Sequence, residues 1–139
     1  MAFLTIVELS THMREEIMDT ISNNDDSLVQ FAIDAAMEEA SGYLSNYDYI
    51  TAFDAAGTAR NPVLLMYIKD IAVWHYIQLA NPNIDMTLRE KRYEFAVKWL
   101  EKVQAGKVTP FLPALIQDVD APVIGKLRYG SNIKRNTRY

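Results

Sequence analysis

The chain of 139 residues has no cysteine and only two histidines, five glycines and five prolines. Without thiols there are no disulfides, thiolate metal sites or cysteine nucleophiles, and the composition leans toward a reducing compartment. The histidines, His12 and His75, are too few for a metal centre of their own. No Glu-x-x-His spacing of the kind that holds di-iron sites in helical bundles occurs. His12 follows Glu8 at i,i+4 without further ligand candidates, and His75 falls on an apolar helix, where a hydrogen-bonded core histidine is expected. Adjacent acidic pairs (Glu15-Glu16, Asp25-Asp26, Glu38-Glu39) point about 100° apart on a helix, which suits solvated faces better than acid–base catalysis. Glycine-rich phosphate loops and GxSxG are missing. The N-terminus lacks the basic start and long apolar run of a signal peptide. Accordingly, the chain is expected not to be an enzyme, and no catalytic, cofactor-binding or metal-ligating residue is assigned.

What is present is apolar periodicity and an uneven charge. Half the residues are hydrophobic, a globular composition for one domain. Residues 1–113 hold nine Lys/Arg and sixteen Asp/Glu, a net of 9 − 16 = −7; residues 114–139 hold five basic residues and two acidic ones, a net of +3. The fold class expected is all-α: a compact bundle of four to five helices over residues 1–113, with an extended, basic C-terminal arm over 114–139.

Thr5 with Glu8 has capping-box spacing and starts a short helix near Ile6. MREEIMDTIS, from Met13, is helical in pattern. The next helix spans about Ser27–Leu44, with a stripe of Leu28, Ala32, Ala36, Ala40 and Leu44 widened by Phe31, Ala35 and Tyr43. Residues 45–60 read as an ordered loop pinned by Tyr47, Tyr49 and Phe53. Asn61-Pro62 is an N-cap followed by proline at the first helical position. The helix it opens, to Leu79, is apolar nearly all round, as a central helix or a membrane span would be. Lys69-Asp70 in its middle and a length below about 20 residues favour the core.

Thr87 and Glu90 give a second capping-box spacing and open a helix that Gly106 closes. Tyr93, Ala96, Val97, Leu100 and Val103 form one stripe, while Leu88, Phe95 and Trp99 form a second arc. Together they cover more than half the circumference, against the ~100° that packing on one side requires. The expectation is that the first stripe faces the core and that Leu88, Phe95 and Trp99 lie at a subunit interface. The alternative is that the helix is sandwiched within its own bundle. Glu94 and Lys98 are spaced for an i,i+4 ion pair. In the arm, Lys126, Arg128, Tyr129, Lys134, Arg135, Arg138 and Tyr139 interleave basic and aromatic groups. They suit a phosphate backbone, or an acidic or aromatic groove on a protein; on an acidic body the protein groove is favoured.

Two sets of motifs resemble a known family. One is ASGYLSNYD at 40–48, with Asn61-Pro62 opening a hydrophobic helix. The other is Arg92-Tyr93-Glu94, Ala96, Trp99-Leu100-Glu101, Gly106-Lys107 and Leu112-Pro113. In order and spacing, over about residues 3–113, they are similar to the Mu-like phage and prophage head–tail connector family of adaptor, or head-completion, proteins. YGSNIKRN at 129–136 is similar to longer members. The resemblance implies a structural virion protein at the neck of the capsid vertex, present in the host cytoplasm during assembly. It implies an oligomeric ring, commonly twelvefold, that binds the portal and a tail or stopper protein while DNA passes through the channel without specific binding. In related adaptors the C-terminal arm reaches neighbouring subunits and the portal, a role the arm residues above would fill here. The other readings are another tail-completion protein, or a small helical regulator that uses its basic tail on nucleic acid.

Overall fold

Proline at position 62 needs no hydrogen-bond acceptor, and Asn61 before it has a side-chain oxygen to offer. The Oδ1 of Asn61 accepts from the amides of Val63 (3.1 Å) and Leu64 (3.0 Å), and a helix runs from Pro62 to Ala80. The structure, a computed structural model, describes residues 3–9, 13, 26–80 and 85–116. Within them lie five α-helices: α1 (Ile6–Leu9), α2 (Asp26–Tyr43), α3 (Tyr49–Asp54), α4 (Pro62–Ala80) and α5 (Thr87–Gln104), with a 3-10 turn at Gly57–Ala59. The described residues form no strand; an isolated antiparallel bridge joins Tyr47 to Ala114. The all-α expectation holds.

α4 is the centre. Leu64, Ile68, Ile71, Ala72, Val73, Tyr76 and Ile77 are buried around most of its girth. It makes the most extensive helix–helix packing with α2 and the next with α5, while α2 and α5 also touch. The alanines of α2 allow this. Ala32, Ala36 and Ala40 are fully buried, and a methyl in each place lets the α4 side chains fill the gap. Each large aliphatic residue hidden in such a core contributes about 1.5–3 kcal/mol of transfer free energy.

The buried stripe of α2 is not quite the one expected. Val29 and Ile33 are buried, while Phe31 points outward at 62% exposure. Leu28 is half-buried against the core. The phenylalanine lies on the far side of the axis from Ala36, so helix geometry and not residue type decides its fate.

Local capping signals fare unevenly. At α1 the capping box forms. The Glu8 amide donates to Thr5 Oγ1 (3.3 Å), and the Thr5 amide donates to Glu8 Oε2 (3.1 Å). At α5 the Thr87–Glu90 box does not form. Asp85 instead accepts from both the amide (3.0 Å) and the hydroxyl (2.7 Å) of Thr87, and Thr87 becomes the first helical residue. A carboxylate two residues upstream outcompetes a hydroxyl.

The expected loop at 45–60 contains helix α3. Asp48 caps it, accepting from the Thr51 amide (3.1 Å) and hydroxyl (2.6 Å), and these bonds hold its carboxyl below the usual range. Tyr49 and Phe53 do pin the segment, Phe53 packing edge-on against Phe3 at 5.4 Å between ring centres. The expected helix at 13–22 lies outside the described residues, except for Met13, which is buried.

α5 ends as expected. Gly106 adopts φ 72°, its amide bonds the Val103 carbonyl and the Lys107 amide bonds the Lys102 carbonyl, a Schellman closure. The chain then turns back along the bundle. The Asp48 amide donates to the Pro113 carbonyl (3.0 Å) and Asn61 Nδ2 donates to the Phe111 carbonyl (3.0 Å).

Candidate interaction surface

Positions 88, 92, 95 and 99 recur every three or four residues and share one side of α5. The adjoining flank, roughly 100° round the axis, carries Ala96, Leu100 and Val103, all buried. Leu88 and Phe95 are 60% and 63% exposed, so two large apolar side chains of this helix are not covered by the chain's own described residues. Trp99 differs. It is half-buried and stacks on Tyr67 of α4 with ring centres 5.0 Å apart. The arc of Leu88, Phe95 and Trp99 is therefore split between one ring spent on internal packing and two residues presented outward.

Charge frames this surface. Lys98 Nζ lies 5.9 Å from the centre of the Phe95 ring and 3.7 Å from Glu94, the i,i+4 pair that the spacing predicts. Both ends of that pair are exposed, so it contributes only a few tenths of a kcal/mol. Arg92 reaches Asp70 of α4 at 3.8 Å. Arg89, half-buried beside them, is pushed below its usual pKa by burial and by Arg92, with Asp70 opposing.

Beyond the buried stripe, on the flank of α5 away from Leu88 and Phe95, runs a polar clamp. Tyr93 OH donates to Glu39 Oε1 of α2 (2.8 Å), and the other carboxylate oxygen lies 2.6 Å from His75 Nε2 of α4. Tyr93 also stacks on Trp74 at 5.5 Å. Three helices meet in this one carboxylate; His75 is hydrogen-bonded as expected, but it is half-buried at the margin of the core and not within it. Burial, reinforced by Glu39, pushes the Tyr93 hydroxyl up to about 12.

A second interlock closes the opposite end. Arg60 Nη2 meets Glu8 Oε1 at 2.6 Å and Nη1 meets Oε2 at 2.9 Å. Nη1 also donates to the Phe3 carbonyl (2.7 Å), and Nε donates to the Gly57 carbonyl (3.0 Å). The guanidinium holds Glu8 down at about 2. No spacing in the sequence announces this contact across 52 positions.

A third feature is an open pocket of about 400 Å³, lined by Ala52, Ala55 and Ala59 on one wall and by Phe111, Leu112 and Pro113 on the other. Phe111 is 98% exposed at its rim. Sequence reading passed over this pocket, because alanines scattered between α3 and the 3-10 turn carry no periodic signal. The arm residues Lys126, Arg128, Tyr129, Lys134, Arg135, Arg138 and Tyr139 lie outside the described residues. Among the described residues no helix is long and apolar enough to cross a membrane, and no group of three or more His, Asp or Glu could hold a metal ion.

The model of the family described as bacteriophage Mu, Gp36 matches residues 4–126. No curated protein and no solved structure matches the chain.

Proposed function

The chain belongs to the bacteriophage Mu Gp36 family, and from that premise we propose that it is a structural protein of the phage particle. In this reading it is a head–tail connector: copies form a ring beneath the portal at the capsid vertex and give the tail, or a stopper protein, its platform. No chemical step is assigned to it. The observation that carries the reading beyond family membership is the outward apolar pair Leu88 and Phe95 on an otherwise well-packed helix. Closed rings are built from heterologous contacts, so each subunit presents an uncovered surface to one neighbour and a different one to the other. Leu88 and Phe95, flanked by Trp99, supply one such surface. The acidic body suits a channel wall, since like charge suppresses phosphate contacts and lets DNA slide. The basic segment with Lys126, Arg128, Tyr129, Lys134, Arg135, Arg138 and Tyr139 would dock on the portal or a neighbour.

The test is co-sedimentation with the portal protein encoded in the same phage or prophage. The chains compared are the full-length protein, one ending at Ile116, and a Leu88→Ser/Phe95→Ser double variant. Stable co-sedimentation of the full chain is expected. Loss with the truncated chain would assign docking to the arm, and loss of ring formation with the double variant would assign the subunit contact to α5. Trp99 is a poorer probe, since replacing it also removes the Tyr67 stack. No co-sedimentation at tens of micromolar, a generous concentration for a specific interface, would overturn the connector role. DNA binding by residues 117–139 with a steep salt dependence would then favour a nucleic-acid regulator.

A further inference from the structure

The alanine-lined pocket beside Phe111 sits where the described chain ends, and it offers recognition of one kind. Its polar neighbours are already engaged. The Asn61 carboxamide is bonded at both ends, to the Val63 and Leu64 amides and to the Phe111 carbonyl. The Thr51 hydroxyl donates to Asp48. What remains is a concave apolar surface of methyl groups facing Leu112 and Pro113. An occupant with a dense array of polar groups would lose hydration there without replacement. An aliphatic peptide segment fits.

Such a segment follows directly. After Ile116 the sequence continues Gln-Asp-Val-Asp and then Ala121-Pro122-Val123-Ile124, before the basic residues begin at Lys126. Pro122 brings no amide that would need an acceptor inside the pocket. Four residues separate Ile116, the last described residue, from Ala121; the five Cα–Cα steps span up to about 17 Å, and Ile116 itself lies three positions from Pro113 in the pocket wall. A tether this short holds its end at an effective concentration of order millimolar, ahead of any segment delivered by another copy at ordinary protein concentrations. The family match also runs past the described residues and stops at 126, so it includes this apolar stretch and leaves most of the basic one outside.

We propose that Ala121–Ile124 of the same chain docks in the pocket formed by Ala52, Ala55, Ala59, Leu112 and Pro113. The C-terminal segment then has two parts with different work. The apolar part is an anchor that completes the domain, and the part from Lys126 onward is what reaches outward. The assignment goes beyond the connector reading and stands whether or not that reading survives.

Because the natural chain has no cysteine, an introduced pair reports without background. The full-length Ala55→Cys/Val123→Cys variant is oxidised under dilute conditions and compared with Ala55→Cys/Gly130→Cys. Ala59→Cys, on the exposed rim, replaces Ala55→Cys should that substitution impair folding. The expected result is an intramolecular disulfide, at monomer mass, forming at least tenfold faster for position 123 than for position 130. Equal rates at the two positions would mean an untethered segment and overturn the proposal. Disulfides formed only between chains would place the segment on a neighbouring copy and overturn it equally.

Discussion

Helix α5 carries two apolar surfaces on one backbone, and they have opposite fates. On one side Ala96, Leu100 and Val103 are buried against α4 and α2; on the other Leu88 and Phe95 stand in solvent at 60% and 63% exposure. Leucine occurs on both, and the exposed phenylalanine is no less apolar than the buried alanine and valine, so hydrophobicity does not separate them. What separates them is supply. The chain has one central helix, and α4 is already surrounded by α2 on one flank and α5 on the other, leaving no further described element to cover the outer side of α5. A single exposed leucine on a protein surface means little. Two large side chains aligned over two turns are a stronger candidate, and the connector reading proposed above assigns them to a neighbouring copy.

The comparison can be broken at several points. Leu100→Ala on the inner side should cost about 2–5 kcal/mol, the range for a large-to-small change in a packed core, measured by urea unfolding. A loss below about 1 kcal/mol would mean that the inner side is loosely packed and that the contrast is weaker than it looks. At the far end of the molecule, Arg60→Ala removes a bidentate ion pair and two carbonyl bonds and should cost about 2 kcal/mol. It also carries a pH signature. Glu8 is held at about 2 instead of 4.5, so its contribution is complete above pH 5 and lost as pH falls toward 2. Glu8→Gln should flatten the stability profile in that window.

Tyr93 lies at the far edge of the buried stripe, away from Leu88 and Phe95. Tyr93→Phe should cost about 1 kcal/mol at neutral pH by leaving Glu39 one donor short. The fold favours the protonated phenol, whose pKa rises from 10.0 to about 12. Its stabilisation is therefore whole below pH 10 and disappears between 10 and 12; the phenylalanine variant should lack that alkaline loss. The smallest effect is expected outside. Phe95→Ser should change unfolding free energy by less than about 0.5 kcal/mol while abolishing the ring formation proposed above, followed by sedimentation velocity. A large loss of monomer stability would show that the outer side is packed after all.

Signals that were local in the sequence were legible. Asn61-Pro62 starts α4, Gly106 closes α5 in a left-handed turn, and Thr5 with Glu8 builds its capping box, because each feature is completed within four residues. The Thr87–Glu90 box was a false signal of the same kind, defeated by Asp85 two positions earlier. Asp48 and Thr51 offered an N-cap that a reading attentive to hydrophobic period alone passes over, and α3 was missed with it. Contacts closed through space were beyond reach. Nothing near Glu8 points to Arg60, and nothing near Glu39 points to Tyr93. For the candidate surface, periodicity placed Leu88, Phe95 and Trp99 on one arc, but only the fold shows that Trp99 is occupied by Tyr67 while the others are not.

The carboxamide of Asn61 serves two masters, capping the first turn of α4 through its oxygen and holding the Phe111 carbonyl through its nitrogen. With the Asp48–Pro113 bond and the Tyr47–Ala114 bridge, it makes the last described stretch of chain a fastened strap. Tension applied beyond Ile116 is delivered first to that strap and then, through one side chain, to the start of the helix at the centre of the bundle. Whatever pulls on this protein's C-terminus pulls on its core.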